Sequence, residues 1–270
     1  MEKILVFIPC YNCSKQIVRT LKQFDNEVME FVNEIIIVNN RSTDDTEQAV
    51  IDFAKSHENI PISLLRNDEN YGLGGSHKVA FQYALKNGFD YVIVLHGDDQ
   101  ADIHDMLPVL KAGTHRQNDC CMGARFAKGS KLVGYSALLT FGNKVYNMFF
   151  SVILKKNLKE LGSSLKIYKA DMLKSNFYIK FKDNLSFDYC MTMASAYYKQ
   201  KYYYFPITFR EEDQISNVKL FNQATNVLKM LASYAIAPQK YIESELREKI
   251  FEQYSYKIIF QNKQKGETLL

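Results

Sequence analysis

The first 125 residues alternate short β-branched runs with helical patterns, and this alternation restricts the fold more than any other feature of the chain. The predicted strands are Ile4–Ile8, Glu34–Val38, Ile62–Leu65 and Tyr91–Leu95, and the predicted helices are Ser14–Met29, Asp44–Ser56 and Ser76–Asn87. Strands and helices that alternate in this way build βαβ units around a parallel sheet. We therefore predict an α/β fold with a Rossmann-like, mostly parallel sheet flanked by helices.

The pattern changes after a further predicted helix, Ile103–Ala112, and a further strand, Asp119–Gly123. Aromatic-rich helical patterns broken by glycines follow, and they indicate substrate-side structure rather than more sheet. From Leu220 to Ile259 the sequence predicts two helices separated at Pro238, because proline interrupts a helix. The C-terminal extension is therefore expected to be helical.

Composition limits the location and the partners of the 270-residue chain. Its net charge of +4 is too small and too scattered to indicate nucleic-acid binding. Five cysteines, an odd number, favour free thiols in a reducing compartment. The apolar run before Pro9 is too short for a signal peptide, so we expect a cytoplasmic protein. Oligomeric state is not indicated.

The most apolar later stretch, Met148–Leu154, is far shorter than the roughly 20 residues that cross a bilayer. It has two interpretations. It is either a buried helix, or a peripheral contact with an anionic membrane in which Lys155 and Lys156 reach the headgroups.

The segment His96-Gly97-Asp98-Asp99-Gln100 follows a buried strand directly, where open α/β sheets bind ligands. In an extended strand end, His96, Asp98 and Gln100 would project on one side. One nitrogen and two oxygen ligands suit Mg²⁺ or Mn²⁺, with a diphosphate in the open positions. The alternative is a solvated acidic turn.

Other segments suggest anion binding. The run Gly72-Leu73-Gly74-Gly75-Ser76 precedes a helix, where backbone N–H groups can approach a phosphate. Lys78, Arg125 and Arg210 are candidates to contact diphosphate oxygens, the arginines more so because they bind phosphate in a bidentate way. Each of these features is also common in ordinary turns and surfaces. Cys10 and Cys13 form a Cys-x-x-Cys pair that is either redox-active or simply buried.

Taken in order, these segments resemble the family 2 glycosyltransferases, which have a GT-A fold. Ile8-Pro9-Cys10-Tyr11-Asn12 is similar to that family's Pro-x-Tyr-Asn motif, and Asn39-Asn40-Arg41-Ser42-Thr43-Asp44-Asp45-Thr46 to its second-strand motif. Asn70-Tyr71-Gly72 resembles its Asn-x-Gly turn, and His96-Gly97-Asp98 its Asp-x-Asp motif. Gln100, Gly123–Phe126, Gly162–Lys166 and 206–220 are similar to the polyprenyl-phosphate sugar synthase branch.

The resemblance implies roles by position. Pro9, Tyr11, Asn12, Asn39, Asn70 and Gly72 would bind the nucleotide, with Lys78, Asp98 and Arg125 near its phosphates. Asp98 would hold metal with His96 and Gln100, and Arg210 would contact phosphate. Residues 1–220 would form the GT-A domain, with a nucleotide-binding half, 1–125, and an acceptor half, 126–220. Residues 221–270 would be the extension.

Three positions depart from the family pattern. Asn39 and His96 replace aspartates, and Ser163-Ser164 replaces Ser-Gly. In addition, Lys131 to Phe141 contains Lys131 but not the arginine usual in the lipid-phosphate branch. The acceptor therefore stays open between a lipid phosphate and a hydroxyl of a glycan or lipid-linked glycan.

The implied reaction is an inverting, metal-dependent transfer from a UDP- or GDP-linked sugar, a single displacement at the anomeric carbon. A hydroxyl acceptor would need a general base, for which Asp188, Glu212 and Asp213 are candidates. Two alternatives remain. A nucleotidyltransferase shares the architecture, and a silent binding or membrane-docking module would explain His96.

Overall fold

A computed structural model describes residues 2–211, 213 and 220–262. Ten strands are present within these residues: β1 Ile4–Cys10, β2 Glu34–Asn39, β3 Ile62–Asn67, β4 Tyr91–Leu95, β5 Cys120–Ala124, β6 Lys131–Val133, β7 Leu165–Lys169, β8 Tyr202–Pro206, β9 Thr208–Arg210 and β10 Tyr256–Gln261. The α-helices there are α1 Ser14–Leu21, α2 Asn26–Met29, α3 Thr46–Ser56, α4 Gly72–Lys86, α5 Leu107–Lys111, α6 Ala137–Leu154, α7 Ala170–Leu173, α8 Phe187–Tyr197, α9 Leu220–Ile236 and α10 Pro238–Glu243.

Eight strands form one sheet in the order β10-β3-β2-β1-β4-β7-β5-β8. The pairs β3–β2, β2–β1, β1–β4 and β5–β8 are parallel, whereas β7 is antiparallel to both of its neighbours and β10 is antiparallel to β3. Strands β6 and β9 form a separate two-stranded parallel sheet. The predicted mostly parallel α/β sheet is confirmed.

Helices cover both faces of the sheet, which explains why β1, β4 and β5 are buried along their whole length. Phe7, Val92 and Met122 point to a layer with α4, α8 and α9. Ile8, Ile93 and Cys121 point to the opposite layer, with α1, α3 and α5. Alternate residues of one strand thus stabilise two cores.

Two predictions about the second half were wrong. Strands β7 and β8 extend the central sheet where the sequence pattern indicated no more sheet. The helix pair around Pro238 is present, but its second helix ends at Glu243 and the chain later adds β10 to the edge of β3. The predicted helix Ser14–Met29 is also divided. Helix α1 ends at Leu21, and α2 begins after Asp25, whose side chain accepts the Val28 N–H.

Candidate active site

The chain turns sharply after β4 instead of continuing as an extended strand. Gly97 donates its N–H to the Pro9 carbonyl (3.2 Å), and Asp99 adopts a left-handed φ of 60°. This turn replaces the extended strand end on which the predicted shared face of His96, Asp98 and Gln100 depended. The extended geometry predicted for this segment was therefore wrong.

A cavity of about 200 Å³ opens at this edge of the sheet. It lies at the carboxyl ends of β4 and β5 and at the beginning of the antiparallel β7, where His96, Arg125 and Ser164 border the strands. His96 and Gln100 line the cavity, whereas Asp98 lies outside its lining. The charged lining residues are Arg125, Glu160 and Asp188.

Asp188 at the beginning of α8 is held by a buried lysine. Lys166 Nζ on β7 lies 2.5 Å from Asp188 Oδ1, and the Lys166 side chain is 0% exposed. On the other side, a Cβ atom placed on Gly162 would lie 2.9 Å from Asp188 Oδ2. Glycine at 162 therefore lets the Asp188 carboxylate approach the chain closely, beside the cavity.

Arg125 follows β5 and binds Glu160 in a bidentate way. Its Nε and Nη2 lie 2.9 and 2.8 Å from the two Glu160 oxygens, and its Nη1 donates to the Tyr135 hydroxyl (3.1 Å). Burial lowers the pKa of Arg125, but the Glu160 carboxylate outweighs it and the net pKa is raised. Arg125 is therefore a fixed cation in the cavity wall.

His96 is a neutral imidazole. Burial, together with the nearby Lys166 and His77, lowers its pKa to about 3. Its backbone N–H donates to the Ser164 carbonyl (2.9 Å), and its Nε2 is buried without a hydrogen-bond partner among the described residues. An uncharged ring nitrogen of this kind can meet a polar ligand group at the cavity.

A network of asparagines joins the loops after β1, β2 and β3. Asn12 accepts the Thr43 N–H (2.8 Å), and its own N–H donates to the Ser42 hydroxyl (2.9 Å). Asn39 is buried, accepts the Ser42 N–H (2.8 Å) and donates to Glu47 (2.6 Å).

Asn70 belongs to the same network through Asn40, which donates to it (2.7 Å). Three residues predicted to bind the nucleotide, Asn12, Asn39 and Asn70, thus meet at the carboxyl edge of the parallel strands. Pro9 is buried next to this edge, and Tyr11 is 53% exposed there.

The predicted contact of Lys78 with phosphate was wrong. Lys78 is completely buried, and its Nζ donates to the Phe181 carbonyl (2.6 Å), Asp183 (2.7 Å) and the Tyr254 hydroxyl (3.0 Å). The backbone N–H groups of the glycine run are also already paired, because those of Gly74 and Gly75 donate to the Asp183 carbonyl (2.7 and 3.2 Å). Gly72, with φ +72°, allows that close approach and offers no open anion site.

Two other predicted catalytic residues, Arg210 and Asp213, do not line the cavity. Arg210 on β9 pairs with Asp102 (3.2 Å). Asp213 pairs with Arg19 on α1 (2.8 Å), which also binds Asp99 (2.7 Å). Glu212 lies outside the described residues. Of the three proposed bases, Asp188 is therefore the one that the described structure places in the cavity.

The five cysteines are free, as predicted, and all of them are buried. Burial raises the pKa of the Cys10 thiol well above its ordinary value. A thiol of this kind is a poor nucleophile, which favours the packing interpretation of the Cys10–Cys13 pair.

The donor set is consistent with a metal held mainly by the substrate. Within residues 2–211, 213 and 220–262 no three His, Cys, Asp or Glu side chains form a metal-binding group. Asp98 accepts the Gln100 N–H (3.2 Å), and burial raises its pKa to about 6. Mg²⁺ commonly binds one or two carboxylates and completes its shell with phosphate oxygens and water. The residues fit that mode, not an all-protein cage.

Sequence reasoning missed Glu160, Lys166, Asn143 and Tyr189. Glu160 and Lys166 flank the Gly162-Ser163-Ser164 segment, which was the available signal. Asn143 and Tyr189 line the cavity from α6 and α8, and nothing in the sequence brings these helices together.

The chain is similar to several characterised proteins. It is 24% identical over 214 residues to the undecaprenyl-phosphate mannosyltransferase of Micrococcus luteus, covering 78% of this chain and 85% of the relative. Several solved structures share the fold. TarS of S. aureus, in complex with UDP-GlcNAc, has a TM-score of 0.58 and 19% identity over 86% of this chain and 66% of that chain.

A second structure is the mannosyltransferase PcManGT of Pyrobaculum calidifontis, in complex with GDP-Man and Mn²⁺. It has a TM-score of 0.56 and 15% identity over 89% of this chain and 72% of that chain. The family model described as Glycosyl transferase family 2 matches residues 5–177. The chain, with its GT-A fold, therefore belongs to glycosyl transferase family 2.

Proposed function

We propose that this glycosyltransferase moves a hexosyl group from a nucleoside-diphosphate sugar to a polyprenyl phosphate, with inversion at the anomeric carbon and with Mg²⁺ or Mn²⁺. The observation that carries the proposal is the cavity lined by His96, Arg125 and Asp188, at the same edge of the sheet as the asparagine network. An edge of this kind is where open α/β sheets bind nucleotides. The nucleotide base stays open between uracil and guanine.

The polar groups of the cavity favour a phosphate acceptor. Both of its carboxylates are already paired, Glu160 with Arg125 and Asp188 with Lys166. Three of the five Arg125 N–H groups donate to Glu160 and Tyr135, which leaves two for a phosphate oxygen. An ionised phosphate needs no general base. The similarity to an undecaprenyl-phosphate mannosyltransferase supports the same acceptor class.

The proposed step is one displacement. An acceptor phosphate oxygen forms the new bond to the anomeric carbon while the bond to the donor diphosphate breaks, and the nucleoside diphosphate leaves with the electron pair. The metal, when bound, neutralises charge on the leaving diphosphate. Asp98 would hold that metal, Arg125 would orient the acceptor phosphate, and His96 would offer a neutral acceptor to a sugar hydroxyl.

A thermal-shift experiment tests donor and metal together. UDP, GDP, CDP and dTDP are each added with Mn²⁺, Mg²⁺ or EDTA to the wild type, Asp98→Asn and Asp99→Asn. One nucleotide at about a hundredfold excess over its Kd should raise the Tm by roughly 5–10 °C, in a metal-dependent way. Asp98→Asn should abolish this shift. Asp99→Asn is the matched control, because Asp99 faces Arg19 and Gln23 and asparagine tolerates its left-handed φ.

A transfer assay tests the acceptor. The donor identified in this way is incubated with undecaprenyl phosphate, undecaprenol and a soluble glycan, and products are separated by mass. Glycosylated undecaprenyl phosphate is expected. Transfer to a hydroxyl instead would replace the proposed acceptor, and no transfer or sugar release from any donor would support a silent binding module.

A further inference from the structure

One face of helix α6 lines the cavity, and its opposite face exposes apolar side chains to solvent. Asn143 lines the cavity, and Asn147, Phe150 and Leu154 are buried against the domain. The spacing of these four positions, 4, 3 and 4 residues, places them on one side of the helix.

The opposite side carries an α6 apolar stripe, defined as Leu138, Phe141, Met148, Phe149 and Val152. Leu138, Phe141 and Val152 are 79%, 68% and 71% exposed. This face of α6 is therefore not buried in the core, contrary to the interpretation of the segment as a buried helix. A cluster of large apolar side chains on one helix face marks an interaction surface.

The chain segment that carries the stripe contains only positive charges. Residues 126–159 contain six lysines and no aspartate or glutamate. Five of the lysines are exposed: Lys128, Lys131, Lys144, Lys155 and Lys159. Lys156, predicted to reach headgroups, instead donates to the Ser195 and Gln200 carbonyls (3.0 and 2.7 Å).

We propose that the α6 apolar stripe and its five exposed lysines are a docking surface for an anionic lipid bilayer. Apolar side chains would enter the acyl boundary while the lysine ammonium groups stay with the headgroups. A second copy of the chain is a poor occupant, because two such surfaces would bring like charges together.

The 18-residue span Ala137–Leu154 is long and apolar enough to cross a membrane, and it is longer than the predicted stretch Met148–Leu154. Its packing argues for a different orientation. Because Asn147 donates to the Lys159 carbonyl (2.8 Å) and Phe150 is fully buried, one side of α6 belongs to the domain. The helix would therefore lie along the bilayer surface, with the cavity beside the headgroups. On the proposed function, this places the site where a lipid phosphate arrives.

A single-tryptophan reporter tests the docking, since the chain contains no tryptophan. Phe141→Trp is mixed with phosphatidylcholine vesicles, with or without phosphatidylglycerol, and none contains polyprenyl phosphate. Anionic vesicles should shift the emission to the blue, brominated acyl chains should quench it, and high salt should reverse both effects. Ile250→Trp, at a position 66% exposed on a segment with two glutamates, Glu248 and Glu252, and one lysine, Lys249, is the control and should show neither effect.

A second variant links binding to the stripe. Leu138→Ser/Phe141→Ser/Val152→Ser should lower vesicle partitioning by at least about tenfold, because each side chain loses its apolar burial in lipid. Its circular dichroism should match the wild type. Unshifted emission of Phe141→Trp, or a stripe-dependent dimer without lipid in sedimentation velocity, would overturn the proposal.

Failure of docking is distinguishable from failure of the proposed function. Transfer to a short-chain, water-soluble prenyl phosphate without vesicle binding would refute the docking surface and leave the function intact. Vesicle binding without any transfer would refute the proposed function and leave the docking surface intact.

Discussion

Glu160 binds Arg125 through two parallel hydrogen bonds of 2.8 and 2.9 Å, and the Glu160 side chain is 2% exposed. This ion pair connects the end of β5 to the segment before β7, so it fixes two sides of the cavity at once. Replacing one partner would leave an unpaired charge in a buried position.

We therefore expect Glu160→Gln to lower the free energy of unfolding by roughly 3–5 kcal/mol. The double variant Arg125→Met/Glu160→Leu should recover most of that loss, because it removes both charges, and yet transfer to a phosphate acceptor should stay strongly reduced. Urea unfolding and initial rates measure the two effects. Full activity in the double variant would contradict a role for Arg125 in binding the acceptor.

Asp188 separates the two acceptor classes. With a phosphate acceptor no proton needs to be removed, so Asp188→Asn should lower kcat less than about tenfold, whereas loss of a general base costs about 10²–10⁴-fold. Rates should be measured with saturating acceptor at a temperature where the variant is folded, since Lys166 loses its partner. A loss of more than about a hundredfold would identify Asp188 as a base and a hydroxyl as the acceptor.

The close approach of Gly162 to Asp188 gives a matched pair of glycine variants. Gly162→Ala should destabilise the protein by about 1–3 kcal/mol and reduce activity, since the new methyl group would press on Asp188. Gly142→Ala, in α6, meets nothing within 4 Å and should stabilise by about 0.5–1 kcal/mol. Thermal unfolding of both variants checks the contrast. Equal effects would show that the Gly162 contact is unimportant.

The lowered pKa of Lys78 leads us to expect that the free energy of unfolding depends on pH. Burial lowers its pKa to about 8 in the folded protein, below the ordinary 10.5, although Asp183 opposes the shift. Between these values the unfolded chain binds more protons, so the stability contributed by this site should rise with pH, by up to about 1.4 kcal/mol per pH unit. The difference in unfolding free energy between wild type and Lys78→Met should therefore increase from pH 8 to 10. A flat difference would contradict a lowered pKa.

The parallel strands, and with them the sheet edge that carries the candidate cavity, could be predicted from the sequence, because β1 to β4 are mostly apolar runs separated by helical periodicity. Strand β7 could not be predicted in this way. Its sequence, Leu165-Lys166-Ile167-Tyr168-Lys169, places the side chain of Lys166 inside the sheet, where a lysine is not expected. Its burial depends on Asp188, 22 residues later.

Lys78 illustrates the same limit. Its position on the helix after the glycine turn suits a phosphate contact, but its partner Asp183 is 105 residues away. Local patterns reveal which residues can carry charge at a strand or helix end. Long-range pairing decides which of those charges remain available to a ligand.

The pairing of β10 with β3 bears on how the chain is synthesised. Residues 62–67 emerge from the ribosome almost 200 residues before Tyr256–Gln261, and Asn262 accepts the Ile62 N–H (2.7 Å) across that separation. During translation the outer row of N–H and C=O groups on β3 is therefore an unpaired strand edge, the kind that recruits other chains. Strand β10, which is made much later than β3, closes that edge, so truncation before Tyr256 should favour aggregation of nascent protein.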